Sequence, residues 1–363
     1  MNWNGAQKGL LEQYLPSVVA FTPRDIAEVI VADNGSTDNS LQLLADKFPT
    51  VRTIALKQNY GFAEGYNQAI RQLTSLQSST QRSKLGFTYE VQRSDAPDYV
   101  VLLNDDVRVT EGWLTPLLDY MQQHHDCAAL QPKLLKDEPD STPGAPHFEY
   151  AGACGGYLDN LYYPYCRGRI FDTVEEDHGQ YDLPEGEAWP VMWASGACLM
   201  VRTDLYQKAG GLDRRFFAHM EEIDLCWRLR RMGYTIACVP QARVYHKGGA
   251  SLANGNPQKT KLNFRNSILM MWKNLPADTY RRLIRRRKIL DGVAAMNFLR
   301  QGQLRNFWAV KKAHSEAETI ISTQYDASEL VGFGTAKPFM QQQFSILWKY
   351  YRKGIRHYSD LGC

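Results

Sequence analysis

The chain has 363 residues, 44% of them hydrophobic and 22% charged, and a net charge of +3. That length holds one large domain with an extension, or two modest domains, and the composition is that of a globular protein. The near-neutral balance does not by itself mark a nucleic-acid binder, and no nucleic-acid partner is expected. Cys127, Cys154, Cys166, Cys198, Cys226, Cys238 and Cys363 form no CxxC pair, which suits reduced, buried thiols in a cytosolic protein. No signal peptide opens the chain, and no apolar run reaches the roughly 18–20 residues of a membrane span, so a cytoplasmic protein is expected.

Leu10, Leu11, Tyr14, Leu15, Val18 and Val19 predict a first helix that ends near Phe21–Pro23. Next, AEVIVADNGSTDNS reads as a buried parallel strand, a polar turn and the start of a helix, SLQLLADKF. The unit repeats as VRTIAL, QNYGFAEG and YNQAIRQL. The Ser/Thr/Gln-rich stretch from about Thr74 to Pro97 reads as a solvated insertion. A third strand, DYVVLLNDDV, precedes the helix WLTPLLDYMQQ. Asp137–Pro146 is loop-forming by composition, and Phe148–Trp193, rich in Gly and Tyr, reads as irregular or short-stranded. Three further helices are expected over Leu262–Leu275, Tyr280–Phe298 and Phe339–Tyr351.

Strands alternating with helices predict an open, mostly parallel α/β sheet, in which ligands bind at the carboxyl ends of the strands. Asp33, Asn59, Asp105 and Asp106 all fall there. The turn from Asp33 to Ser40, with Asn34, Ser36 and Asp38, is explained either as a turn capped by Ser36 or Thr37, or as a nucleotide contact through Asp33. Asn104, Asp105 and Asp106 end the third strand; such carboxylates suit Mg²⁺ or Mn²⁺ bridging phosphates. No P-loop and no GxGxxG follows a strand, which disfavours P-loop ATP hydrolysis and dinucleotide redox chemistry. His246, in VYHKGGAS, is either a satisfied structural histidine or a metal ligand.

At 100° per residue, Glu221, Asp224, Arg228 and Arg231 share one stripe, which predicts an exposed ladder of ion pairs. Glu222 falls on another side, beside Leu225, Cys226 and Leu229, where a carboxylate with no local cation is costly and becomes a candidate general base. Glu221 and Asp224 are the acidic neighbours in this catalytic cluster, with scaffolding as their expected role. The basic run Arg281–Lys288 is either a solvated helix face or a site of peripheral contact with an anionic membrane.

In this order, the motifs NWNG, VADNGSTDNS, NYGFAEGYNQAI, VLLNDDV, WASGACLMVRTDLYQKAGGLD, FFAHMEEIDLCWRLRRMGY and VYHKGGAS resemble those of the family-2 inverting glycosyltransferases of GT-A fold, particularly the bacterial rhamnosyltransferase-like branch. The resemblance covers about residues 2–275. It implies a GT-A domain over 1–260, with a nucleotide-binding part to about 110 and an acceptor part beyond, followed by a basic helical extension over 261–363. It also implies transfer of a sugar from a UDP- or dTDP-sugar to a hydroxyl on a glycan or lipid-linked acceptor, in cell-surface glycan synthesis at or near the inner membrane face. Asp33 would contact base or ribose, and Asn59 and Gly61 would line the nucleotide pocket. Asn104, Asp105 and Asp106 match the family's DxD region, with Asp106 the favoured metal ligand and His246 completing the metal or diphosphate site. Ser195, Gly196 and Ala197 would border the donor sugar, and Glu222 matches the catalytic base, usually Asp. The family's opening strand is missing before Asn2, so unpaired strand edges are expected. Two other readings compete: an inactive sugar-nucleotide- or glycan-binding protein of the same fold, and a nucleotidyltransferase.

Overall fold

The computed structural model describes residues 1–74, 77–82, 88–93, 96–138, 144–248, 255–325 and 342–362. Helix α1 (Leu10–Phe21) buries Leu10, Leu11, Tyr14, Leu15 and Val18, the face its apolar spacing marks. Two β–loop–α units follow: β1 (Ile30–Asp33) with α2 (Ser40–Lys47), and β2 (Arg52–Ala55) with α3 (Gly61–Thr74); β1 and β2 pair in parallel. The Thr74–Pro97 insertion is not all loop. It carries an antiparallel hairpin of β3 (Gln77–Arg82) and β4 (Thr88–Arg93), which a polar composition does not announce.

The main sheet begins with β5 (Tyr99–Leu103) and β6 (Val107–Val109), continues after α4 (Thr115–Gln123) with β7 (Cys127–Lys136), and recruits later strands. The stretch expected to be irregular holds the short strands β8 (Gly156–Leu158), β9 (Pro164–Cys166), β10 (Arg169–Ile170), β11 (Thr173–Val174) and β12 (Trp189–Pro190). Next come β13 (Cys198–Arg202), α5 (Thr203–Lys208), α6 (Glu221–Arg231) and β14 (Thr235–His246). The order is β12-β14-β7-β13-β5, with β6 also on β14. The sheet is mixed rather than mostly parallel: β7 and β14 run parallel, whereas β13 enters antiparallel between β5 and β7. Nine consecutive residues of β7 are buried, as both-face coverage demands. Helices α1, α2 and α4 share one core, and α6 and α7 (Pro257–Asn274) pack into another.

Asn2 makes a one-residue parallel bridge to Asp33, donating to Ala32 O at 2.9 Å and accepting from Asn34 N at 2.8 Å, while the Met1 ammonium donates to Leu103 O at 2.8 Å. Before that point, the residues of β1 and β5 face a cavity of about 370 Å³, lined also by Leu11, Leu15 and Ile70. The chain's first two residues thus tie together two edges that the described residues leave otherwise unpaired.

Two long helices, α8 (Ala277–Arg300) and α9 (Leu304–Gln324), follow α7. The α9 helix was not foreseen. The tail expected as a helix over Phe339–Tyr351 holds only a short helical stretch near Ile346–Arg352, and its first three residues lie outside the described residues. The six described cysteines are free and buried, and no described helix is long and apolar enough to cross a membrane.

Candidate active site

The end of β5 and the end of β14 meet at one corner. Asp106 Oδ1 lies 3.0 Å from His246 Nε2, and Asn104 Nδ2 lies 3.3 Å from the same nitrogen. The other ring nitrogen lies 3.2 Å from Glu149 Oε1. All but Asn104 are buried. Burial works against a charge on His246, yet Glu149 and Asp106 outweigh it and raise its pKa to about 10. Asp105 sits in the field of the Met1 ammonium, and burial raises its pKa.

The start of α6 forms a second corner. The loop into it holds Phe217, His219 and Met220 at φ of 66°, 73° and 68°, a left-handed backbone that L-residues rarely adopt. Glu222 follows directly. Burial raises its pKa to about 7, against backbone N–H groups, including those of Ile223, Gly196 and Met220, that favour the charged form. Its Oε2 is buried without a hydrogen-bond partner among the described residues, as is Oε2 of Glu221. Burial, with Glu222 alongside, drives the pKa of Glu221 well above the usual carboxylate range. His219 is kept neutral: burial, and then Lys259, lower its pKa to about 4.

A three-residue segment joins the corners. Gly196 N–H faces the Glu222 carboxylate, while Ala197 O accepts from Asn104 N at 3.1 Å. Ser195 is pinned from behind by its N–H donating to Gln131 Oε1 at 2.8 Å. A Cβ on Gly196 would lie 3.2 Å from the Phe62 ring and 3.6 Å from Glu222 Cβ, so the lining is close. Two acidic corners thus lie on either side of the glycine-containing entry to β13.

The family described as Glycosyltransferase like family 2 matches residues 5–266. The chain is a family-2 glycosyltransferase. It is 30% identical over 236 residues to N-acetylglucosaminyl-diphospho-decaprenol L-rhamnosyltransferase of Mycobacterium tuberculosis, covering 65% of this chain and 71% of the relative. It is 23% identical over 248 residues to the low-salt glycan biosynthesis hexosyltransferase Agl10 of Haloferax volcanii, covering 67% of each. Its fold is similar to that of GalNAc-T7 crystallised with UDP, GalNAc and Mn²⁺: TM-score 0.50, 15% identity, 87% of this chain and 55% of that one. The glycosyltransferase thus spans about half the length of that structure.

The loop residues expected to bind nucleotide mostly hold the glycosyltransferase's own loops together. Asp33 accepts from Asn2 Nδ2 at 2.6 Å and from Ser36 Oγ and N at 2.6 and 3.0 Å. Asn34 laces this loop to the next, donating to Gly61 O and Asn59 Oδ1 and accepting from Tyr60 N. Asp38 accepts from Gln7 N and Ser40 N. Gly61, at φ 76°, would place a Cβ 2.5 Å from the Phe217 ring, and Phe62 N donates to Phe217 O. The loop after β2 therefore touches the loop that leads into α6.

The exposed ladder expected on α6 is instead buried. Asp224 accepts from Arg228 Nε at 2.9 Å, Lys273 Nζ at 3.0 Å and Asn274 Nδ2 at 2.7 Å. Burial opposes its charge, but Arg228 and Lys273 lower its pKa. The correction follows from α7, which covers this face and supplies two of the three partners. Asp224 is a scaffold between helices. Sequence reasoning missed Glu149, which sits in an aperiodic stretch, and His219, which stands two residues before Glu221 and carries no spacing signal.

Proposed function

We propose that this glycosyltransferase moves a sugar from a UDP- or dTDP-sugar to a hydroxyl of a glycan or lipid-linked acceptor, with inversion, and that Glu222 is the base. One observation carries the reading: a buried carboxylate oxygen with no described partner and a pKa near neutrality stands across Ser195–Ala197 from the Asn104–Asp106 corner. The acceptor O–H loses its proton to Glu222 as its oxygen bonds to the anomeric carbon. The bond from that carbon to the diphosphate oxygen breaks, and the electron pair leaves with the diphosphate.

Among the described residues no three His, Cys, Asp or Glu side chains form a ready metal cluster. Mg²⁺ and Mn²⁺ sites at nucleotides commonly use one or two carboxylates plus phosphate oxygens, so one carboxylate and one imidazole suffice. Asp106 and His246, once the ring has given up the proton on Nε2, would hold such an ion, with Asn104 and Asp105 beside them, and the ion would offset charge on the leaving diphosphate. Glu149 fixes the His246 ring from behind, as an outer partner does. The lipid-linked acceptor named for the mycobacterial relative supports a bilayer-facing role for this chain too.

Nucleoside diphosphate release across a panel of UDP- and dTDP-sugars, with Mn²⁺, Mg²⁺ or chelator, tests the proposal. Release with metal and none with chelator is expected. Undiminished turnover in chelator would sink the role of Asp106, and pyrophosphate release from a triphosphate would replace transferase with nucleotidyltransferase.

A further inference from the structure

The α8–α9 hairpin carries a surface that the transfer chemistry does not use. Its inward side is tightly specified. Arg287 donates to Leu161 O at 3.0 Å and Ser267 Oγ at 2.7 Å and lies 3.8 Å from the Tyr163 ring centroid, with Asp291 and Ala295 buried on the same side. At 100° per residue the outward side reads Arg282, Arg285, Arg286, Ile289, Val293, Met296 and Arg300, within an arc of about 100°. Ile289 is 69% exposed, Val293 63% and Met296 56%. Contacts of Lys288 with Glu318 at 2.7 Å and of Asp291 with His314 at 3.0 Å fix the antiparallel register. That register sets Trp308, 57% exposed, abreast of the α8 turn that holds Met296, and Leu304 is equally exposed one turn earlier.

The charge is as uneven as the polarity. Residues 277–313 contain ten Lys and Arg against two Asp, a net charge of +8, while the whole chain carries +3. Of the two acids, Asp291 is buried and Asp278 lies 3.6 Å from Arg281. Exposed Ile, Val, Met, Leu and Trp in one strip are unusual on a water-facing helix and mark an interaction surface. A second copy is a poor occupant because two faces that each carry Arg282, Arg285, Arg286 and Arg300 repel. A nucleic acid would use the arginines and leave the apolar strip in water. An anionic bilayer uses both: arginines at the headgroups, aliphatic side chains at the acyl boundary and a tryptophan between.

We propose that the outward face of α8, with Leu304 and Trp308 of α9, docks flat on an anionic lipid bilayer. Ile289, Val293, Met296, Leu304 and Trp308 enter the interface, and Arg282, Arg285, Arg286 and Arg300 hold the headgroup phosphates. The docking sets the height of the active site, because α8 follows α7 and α7 grips α6 through Lys273 and Asn274 on Asp224. The proposal gives the bilayer-facing role proposed above its docking face, and because its test uses neither donor nor acceptor it can fail while the transferase reading stands.

The test is co-sedimentation of the full chain with vesicles of phosphatidylcholine alone and of phosphatidylcholine with 30% phosphatidylglycerol. Binding should be at least tenfold stronger to the anionic vesicles. Arg282→Glu/Arg285→Glu/Arg286→Glu should weaken it by about a hundredfold, at roughly fivefold per arginine. The charge-matched control Arg24→Glu/Arg52→Glu/Lys208→Glu should change it less than a third as much. Ile289→Ser/Val293→Ser/Met296→Ser should remove the binding that survives 0.5 M salt. Brominated acyl chains should quench tryptophan emission in the parent and much less in Trp308→Phe. Equal binding to both vesicle types, indifference to the serine triple, or tighter binding to duplex DNA than to anionic vesicles each overturns the proposal. All substituted side chains are exposed, and unchanged melting temperatures confirm that folding is preserved.

Discussion

At the Asp106 corner, Asp106 and Glu149 each meet a ring nitrogen of His246, so two buried carboxylates share one imidazole. At the base corner Glu221 and Glu222 stand side by side with no ion pair among the described residues, and both pKa values rise. The same burial has opposite chemical results. Where the imidazole stands alongside, burial opposes the charge of Asp106 but the hydrogen bond from His246 holds its pKa below the usual carboxylate range. Where none is present, a proton is held and can be exchanged near neutral pH, which is what a general base needs. Asp224, one turn from Glu221, makes the contrast sharper: buried among Arg228, Lys273 and Asn274, it is as charged as Asp106 yet faces no opening.

The largest effect should come from removing the exchangeable proton site. Glu222→Gln is expected to lower kcat by roughly 10²–10⁴ with donor affinity nearly unchanged. Turnover and isothermal titration with donor would show it, and a variant with parental kcat would return this corner to scaffolding. Asp224→Ala should instead cost stability, about 3–5 kcal/mol, because Arg228 loses its carboxylate partner in a buried setting and Lys273 is left with Asp213 alone. Urea melts would reveal it. A variant that melts like the parent but loses turnover would move Asp224 from scaffold to site.

How much of this contrast was legible in the sequence depends on which partners are local. The isolation of Glu222 on an apolar side of α6 follows from helical angle alone, and its neighbours Leu225, Cys226 and Leu229 are buried as that angle requires. Strand ends carrying Asp33 and Asp106 were equally readable from apolar runs that stop at polar turns. The misplacement of the Asp224–Arg228 pair on the surface had a physical cause: its cover, α7, arrives some fifty residues later, and no local pattern reports tertiary contact. Glu149 escaped for a related reason, since its segment has neither a 3.6 nor a 2.0 period and is placed by pairing with Leu134 and His246. The antiparallel entry of β13 was hidden likewise, because a buried apolar strand reads the same in either direction.

Acidity offers a gentler probe of the two corners. Glu222 must lose its proton to act, so kcat/KM should rise with pH and level off above about 7. The sign for folding is the reverse. A carboxyl whose folded pKa lies above its unfolded value contributes stability that is complete below the unfolded pKa, about 4.3, and is lost as pH rises through the folded one. Melting temperature should therefore fall over the range in which turnover climbs, and the fall should be smaller in Glu222→Gln. A parent rate that is flat from about pH 5.5 to 8.5 would exclude a base of this pKa.

The smallest expected effect decides which of the adjacent glutamates is the base. Burial and the neighbouring Glu222 push the pKa of Glu221 well above the usual carboxylate range, which favours its neutral form. Glu221→Gln fixes the neutral form that burial favours in a side chain of the same shape and should alter kcat by no more than about threefold. It also removes a neighbouring carboxyl, so the inflection in the rate profile should stay put or move to lower pH. If Glu221→Gln lost as much activity as Glu222→Gln, the two would act as one proton-sharing pair, and the distinction drawn from helical angle would fail. Retention of turnover with the inflection intact leaves Glu222 alone with the proton.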